Sequence, residues 1–167
     1  MELAILDYTR ALELNPGDID AYLNRGRAYQ FKGKWDLSIS DFNMILKMNP
    51  KVAGAYYYRG LTYGKTGKHD QAISDLSKAI DLKPNVFNAY VDRALIYLAK
   101  GQYNQSISDS SKVIELSPGH ATGYILRGRV YSEKNEYGKA CSDWQKACRL
   151  GYCKSINEAK KEGSCQD

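Results

Sequence analysis

Pro16, Pro50, Pro84 and Pro118 stand 34 residues apart, and the chain has no other proline. Proline lacks a backbone N–H and its ring clashes with the preceding turn, so each one ends a helix at the same phase. A chain punctuated this way must fold as a series of like units. Other residues keep the step. Tyr22, Tyr56, Tyr90 and Tyr124 form one series, Tyr29, Tyr63, Tyr97 and Tyr131 a second, and Arg25, Arg59, Arg93 and Arg127 a third. Asp7, Asp41, Asp75, Asp109 and Asp143 form a fourth, and Gly33, Gly67 and Gly101 continue to Asn135.

Within a unit the spacing predicts two helices. Ala53, Tyr56, Gly60 and Tyr63 recur at intervals of three and four over 53–66, and Ala72, Ile73, Leu76, Ala79 and Ile80 do the same over 70–82. Gly67 between them suits the left-handed position just past a helix C-terminus, and Asn135 is the next-best residue there. Asn15-Pro16 and Asn49-Pro50 are stop signals. Each unit reads as a helix–turn–helix hairpin.

These residues resemble the tetratricopeptide repeat family, whose pattern is an aromatic, then Leu-Gly, Tyr, Ala, Phe and Pro at fixed offsets. Residues 53–86 match with Tyr56, Gly60, Tyr63, Ala72, Leu76, Ala79 and Pro84; 19–52 with Tyr22, Gly26, Tyr29, Phe42 and Pro50, Ser38 taking the small place. Residues 121–154 match with Tyr124, Gly128, Tyr131, Ala140, Trp144 and Ala147 but lack the proline. In 87–120, Ala94 replaces the glycine and Ser110 the large apolar residue. The resemblance covers residues 2 to about 152. It implies an all-α, right-handed superhelical solenoid of antiparallel helix hairpins with first helices on the inner surface. The segments expected are 1–18 (the second helix of a truncated repeat), 19–52, 53–86, 87–120, 121–152, and 153–167, a polar capping helix and tail. In 2–15, Ala4, Tyr8, Ala11 and Pro16 take the places of Ala72, Leu76, Ala79 and Pro84. The chain is thus expected to be a fragment of a longer array or to begin at a half repeat, whose open face predicts self-association.

By the same resemblance the inner face is a groove for an extended peptide or a partner's helix. The helical period assigns to it Leu23, Asn24 and Arg27; Tyr57, Tyr58 and Leu61; Val91, Asp92 and Leu95; and Ile125, Leu126 and Arg129. The lysine and asparagine clamp of the family's chaperone-binding branch is missing: its places hold Leu23, Tyr57, Val91 or Ile125, and Arg27, Leu61, Leu95 or Arg129. An apolar or amphipathic partner segment is therefore expected instead of a chaperone tail. The family usually has leucine where Arg25, Arg59, Arg93 and Arg127 stand. Each is expected to pair with an aspartate (Asp41, Asp75, Asp109 or Asp143) at a packed interface, Arg59 with either Asp41 or Asp75.

All four cysteines fall in the last 27 residues. If 138–149 and 153–163 form a hairpin, Cys148 lies near Cys153 and Cys141 near Cys165. Two disulfides and an oxidising compartment are one reading, free thiols in the cytoplasm the other; zinc lacks a CxxC pair. His69 shares its place with Trp35, Tyr103 and Tyr137 and reads as a packing aromatic; His120 sits in a bend. No Walker loop, GxSxG or other catalytic pattern occurs, so neither an enzyme nor a cofactor is expected. The net charge of +5 is spread without a dense basic stripe, which argues against nucleic acid, and no stretch reaches the roughly 20 apolar residues of a membrane span. The function expected is a protein-interaction scaffold; the alternatives are a self-assembly module or a targeting module of a larger protein.

Overall fold

The structure, a computed structural model, describes residues 2–165; Met1, Gln166 and Asp167, the outer ends of the first and last expected segments, lie outside the described residues. Among the described residues there are ten helices and no strand. They divide into two compact units at Pro84–Asn85. The first holds α1 (Glu2–Leu14), α2 (Ile19–Phe31), α3 (Trp35–Met48), α4 (Ala53–Lys65) and α5 (His69–Leu82). The second holds α6 (Phe87–Ala99), α7 (Tyr103–Leu116), α8 (Thr122–Glu133), α9 (Tyr137–Arg149) and α10 (Lys154–Lys161). Within each unit consecutive helices pack on one another, and the first helices of adjacent hairpins, α2 with α4 and α6 with α8, also touch.

The turns are built by local chemistry. Gly33, Gly67, Gly101 and Asn135 have φ of 69°, 74°, 68° and 59°. At each, the N–H one residue later reaches back to the carbonyl of Tyr29, Tyr63, Tyr97 or Tyr131, closing a Schellman motif. Asn15 and Asn49 each accept a backbone N–H two residues on, from Gly17 at 3.2 Å and Lys51 at 2.9 Å, so the asparagine folds the chain around the proline it precedes. Asp18 caps α2 by accepting from the N–H of Ala21 at 2.9 Å.

Each hairpin closes where a small residue on the first helix meets a large one 16 residues later. A Cβ on Gly26 would lie 2.7 Å from the Phe42 ring, one on Gly128 would lie 2.5 Å from Trp144, and one on Gly60 would lie 3.1 Å from Leu76. In 87–120 the pair is Ala94 and Ser110, both fully buried. The departure from the pattern is thus reciprocal, with volume added on one helix and removed from the other. The buried hydroxyls still bond: Ser106 donates to the Ala94 carbonyl at 2.8 Å and Ser110 to the Ser106 carbonyl at 2.7 Å.

The second unit ends in a cap. Ala140, Trp144, Ile156, Ala159 and Cys165 form a buried cluster, with Tyr131, Cys141, Cys148 and Cys153 packed against it. Cys141 is bonded to Cys165 with Cα atoms 5.7 Å apart, and Cys148 to Cys153 with Cα atoms 4.0 Å apart. The first bridge ties α9 to the residues after α10, and the second spans the turn between the two helices.

Two outcomes are expected. Ser110→Leu alone overpacks its site and costs about 1–3 kcal/mol. Adding Ala94→Gly recovers part of that loss, which a double-mutant cycle in urea reads as coupling of about 1 kcal/mol. Replacing Cys141 and Cys165 by alanine lowers the opening free energy of α10 by about 3 kcal/mol, as for a loop of this length. Amide hydrogen exchange in α10 against α8 measures that change.

Candidate functional site

Two features could engage a partner: the periodic charges and the surface of the first helices. The charges are mostly used within the fold. The Nε and Nη2 of Arg25 donate to the two carboxylate oxygens of Asp41 at 2.9 and 2.7 Å. Arg59 does the same to Asp75 (2.7 and 2.8 Å), Arg93 to Asp109 (2.8 and 2.7 Å) and Arg127 to Asp143 (2.8 Å each). Arg59 thus takes Asp75, on its own hairpin, and not Asp41. The aspartate side chains are only 5–9% exposed. The bond to aspartate, the largest influence, lifts the pKa of Arg25, Arg59 and Arg127 above the ordinary value against the opposing effect of burial. For Arg93 burial is the largest influence and opposes, but Asp109 still carries the pKa upward.

The structure adds two elements that the sequence reading missed. The guanidinium of Arg25 lies between rings of its own helix, 5.5 Å from the centroid of Tyr22 and 5.8 Å from that of Tyr29. Arg59 lies likewise between Tyr56 and Tyr63, and Arg93 between Tyr90 and Tyr97. In these three hairpins the tyrosines and the arginine are therefore one motif. The remaining nitrogen, Nη1, reaches the preceding second helix: Arg25 donates to Thr9 at 3.2 Å, Arg59 to Asn43 at 2.6 Å, and Arg127 to Ser111 at 3.1 Å. Thr9, Asn43 and Ser111 each stand two residues after an aspartate of the periodic series, a signal available in the sequence.

The surface of the first helices is less open than the helical period predicts. Leu126 is 5% exposed, and Leu23 and Tyr58 pack against the buried Phe42, Ile45 and Ala55. These positions turn toward the seam where first helices meet. Tyr58 stacks on Phe42 with centroids 6.1 Å apart, and Tyr57 meets Tyr58 edge-on at 5.1 Å. Gln30 of α2 locks the seam by donating to the Tyr58 carbonyl at 2.8 Å and Thr62 Oγ1 at 2.7 Å.

Along this face a cleft opens in each unit. In the first, about 570 Å³ is lined by Ala4, Tyr8, Asn24, Arg27, Ala28, Gln30, Phe31, Trp35, Leu61 and Lys65. No carboxylate lines it. Phe31 is 78% exposed, and Arg27 lies 5.0 Å from the Tyr58 centroid. In the second, about 210 Å³ is lined by Val91, Leu95, Thr122, Ile125, Leu126 and Arg129. The clefts thus include Asn24, Arg27, Leu61, Val91, Leu95, Ile125, Leu126 and Arg129 of the expected face. Leu23, Tyr57, Tyr58 and Asp92 line neither. Phe31, Trp35 and Lys65 were missed because they lie at or just beyond helix ends, where a face count is blind.

Profiles of the tetratricopeptide repeat match residues 7–39, 53–86 and 87–120. The chain belongs to the tetratricopeptide repeat family. No curated protein matches the sequence. Among solved structures, a MamA protein is 25% identical with a TM-score of 0.84, over 90% of this chain and 88% of that one. MamA from Desulfovibrio magneticus RS-1 is 19% identical with a TM-score of 0.77, over 87% and 86%. A thermophilic protein of the same repeat type from Thermus thermophilus is 17% identical with a TM-score of 0.69, over 96% and 88%. The last two likenesses show the fold. Proteins of this family bind protein partners, and the fold is typically that of a non-enzymatic interaction scaffold. Among the described residues no helix is long and apolar enough to cross a membrane.

Replacing one periodic aspartate tests the ladder. Asp75→Ala strands a guanidinium only 19% exposed and lowers stability by about 3 kcal/mol, read by urea denaturation. Asp7→Ala, in the same register but exposed, leaves the midpoint unchanged.

Proposed function

We propose that the chain holds a partner protein by seating an apolar or amphipathic segment against its first helices, α2 and α4 in the first unit and α6 and α8 in the second. The observation that carries this reading is the cleft of the first unit. Its walls are apolar and aromatic (Tyr8, Phe31, Trp35, Leu61), its charged groups are both cationic (Arg27, Lys65), and no acid lines it. Aromatic side chains around a concave apolar surface are where binding free energy concentrates. The cations orient a segment that carries a carboxylate beside its apolar residues, and they speed encounter at low salt.

The reading is tested on the first partner recovered with the immobilised chain, once its bound segment has been mapped and synthesised. Leu61→Ala and Arg27→Ala each weaken that segment by about 10-fold, the scale of a central contact. Light scattering of both variants matches the parent. Substitutions that alter assembly and leave segment binding intact overturn the reading in favour of a self-assembly module.

A further inference from the structure

The two disulfides of the second unit differ in what surrounds them. Cys165 is 5% exposed and sits in the buried cluster with Trp144, Ile156 and Ala159, so its bridge to Cys141 is part of the core. The bridge between Cys148 and Cys153 borders open space. A cleft of about 350 Å³ between α9 and α10 is lined by Gln145, Cys148, Arg149, Ile156, Asn157 and Lys160. Two cations and two amides thus surround one half-cystine, and no carboxylate lines the cleft. Glu158 of α10 lies 3.9 Å from Lys154. Cys148 lines the cleft and Cys153 does not. Cys153 is instead the N-cap of α10, where no side chain accepts from the first N–H groups.

We propose that Cys148 is a thiol-exchange site for a small peptide thiol bearing two carboxylates, the chemistry of glutathione. Displacement at sulfur runs in line, the attacking thiolate entering opposite the sulfur that leaves. Entry from the cleft onto Cys148 Sγ therefore makes Cys153 Sγ the leaving atom. The thiolate's electron pair forms the new S–S bond as the old one breaks, and the displaced pair stays on Cys153, which then takes a proton from water. That thiolate emerges at the N-terminus of α10, whose uncapped N–H groups favour negative charge. Arg149 and Lys160 meet the carboxylates, and the amides of Gln145 and Asn157 offer donors to the peptide carbonyls. In the product Cys141–Cys165 still holds the cap, while the turn at residues 150–152 is released. A second thiolate attacking the sulfur of the bound thiol returns Cys148 as a free thiol and carries away the disulfide of the small thiol. The second unit is thus reduced one bridge at a time, at a site independent of the proposed partner binding.

The whole oxidised chain is mixed with glutathione, its diethyl ester or 2-mercaptoethanol, quenched in acid over a time course and mapped by peptide mass spectrometry. The first adduct is expected on Cys148, with Cys153 a free thiol and Cys141–Cys165 intact. Each rate is divided by that thiol's rate with neutral hydroxyethyl disulfide. On this scale glutathione outpaces its diethyl ester by about 10-fold, as a cleft of one charge concentrates its ligand. Arg149→Gln with Lys160→Gln removes the preference and leaves the rate of 2-mercaptoethanol unchanged, which separates recognition from folding. Should that rate move, salt gives the second reading: the preference of the parent chain fades as ionic strength rises. A Cys148–Cys153 bridge that survives about 10 mM glutathione overturns the proposal. So does a first adduct on Cys153, Cys141 or Cys165, or a preference that is absent or insensitive to both the double substitution and salt.

Discussion

Every hairpin of this protein is organised around one guanidinium. Its Nε and Nη2 close a two-bond fork on the aspartate 16 residues later, and the guanidinium faces of Arg25, Arg59 and Arg93 lie against the tyrosines before and after them on the same helix. The Nη1 of Arg25, Arg59 and Arg127 reaches a hydroxyl or amide on the preceding second helix. One side chain therefore joins three helices. Exchanging a charge pair for apolar residues of like volume is often neutral or stabilising, so net free energy is a weak reason for arginine to stand where the family usually has leucine. Geometry is a stronger one. A fork accepts a carboxylate at one relative position of two helices, whereas apolar side chains slide past one another at small cost. The pair sets the register in which the small residue meets the large one.

That register explains how the third repeat departs from the pattern without losing its core. Ala94 and Ser110 exchange volume across a contact that Gly26 and Phe42, or Gly128 and Trp144, make the other way round. A hairpin with Ala94 facing a tryptophan would clash, and one with glycine facing Ser110 would leave a void. The Arg93–Asp109 fork holds the two helices in the same relation as the others. Packing volume is free to be partitioned between helices because their alignment is set elsewhere.

The helices, their turns and the periodic pairing were legible in the sequence because each rests on local chemistry repeated at one phase. Proline ends a helix whatever surrounds it, and Gly33 takes a positive φ because it has no Cβ, Asn135 because its short polar side chain tolerates one. The choice of Asp75 over Asp41 by Arg59 was not legible, since both lie 16–18 residues away and only the hairpin's closure brings one within reach. The clefts were half legible. A helical period says which residues share a face but not how closely the next first helix approaches. That approach buries Leu126 and turns Leu23 and Tyr58 inward, while Phe31 and Trp35, near a turn, come to flank open space.

A repeat protein that closes its hairpins by charge also sorts what it meets by charge. Arg27 and Lys65 make the cleft of the first unit cationic, and no carboxylate lines it. Such a surface favours an acidic amphipathic segment and repels a basic one. Rejection of the wrong charge separates partner segments that apolar shape alone would leave interchangeable. The sorting weakens with salt at the exposed rim, where the Debye length is about 8 Å at physiological ionic strength. It persists where the carboxylate and guanidinium close a fork, because desolvated partners at hydrogen-bond distance are screened far less.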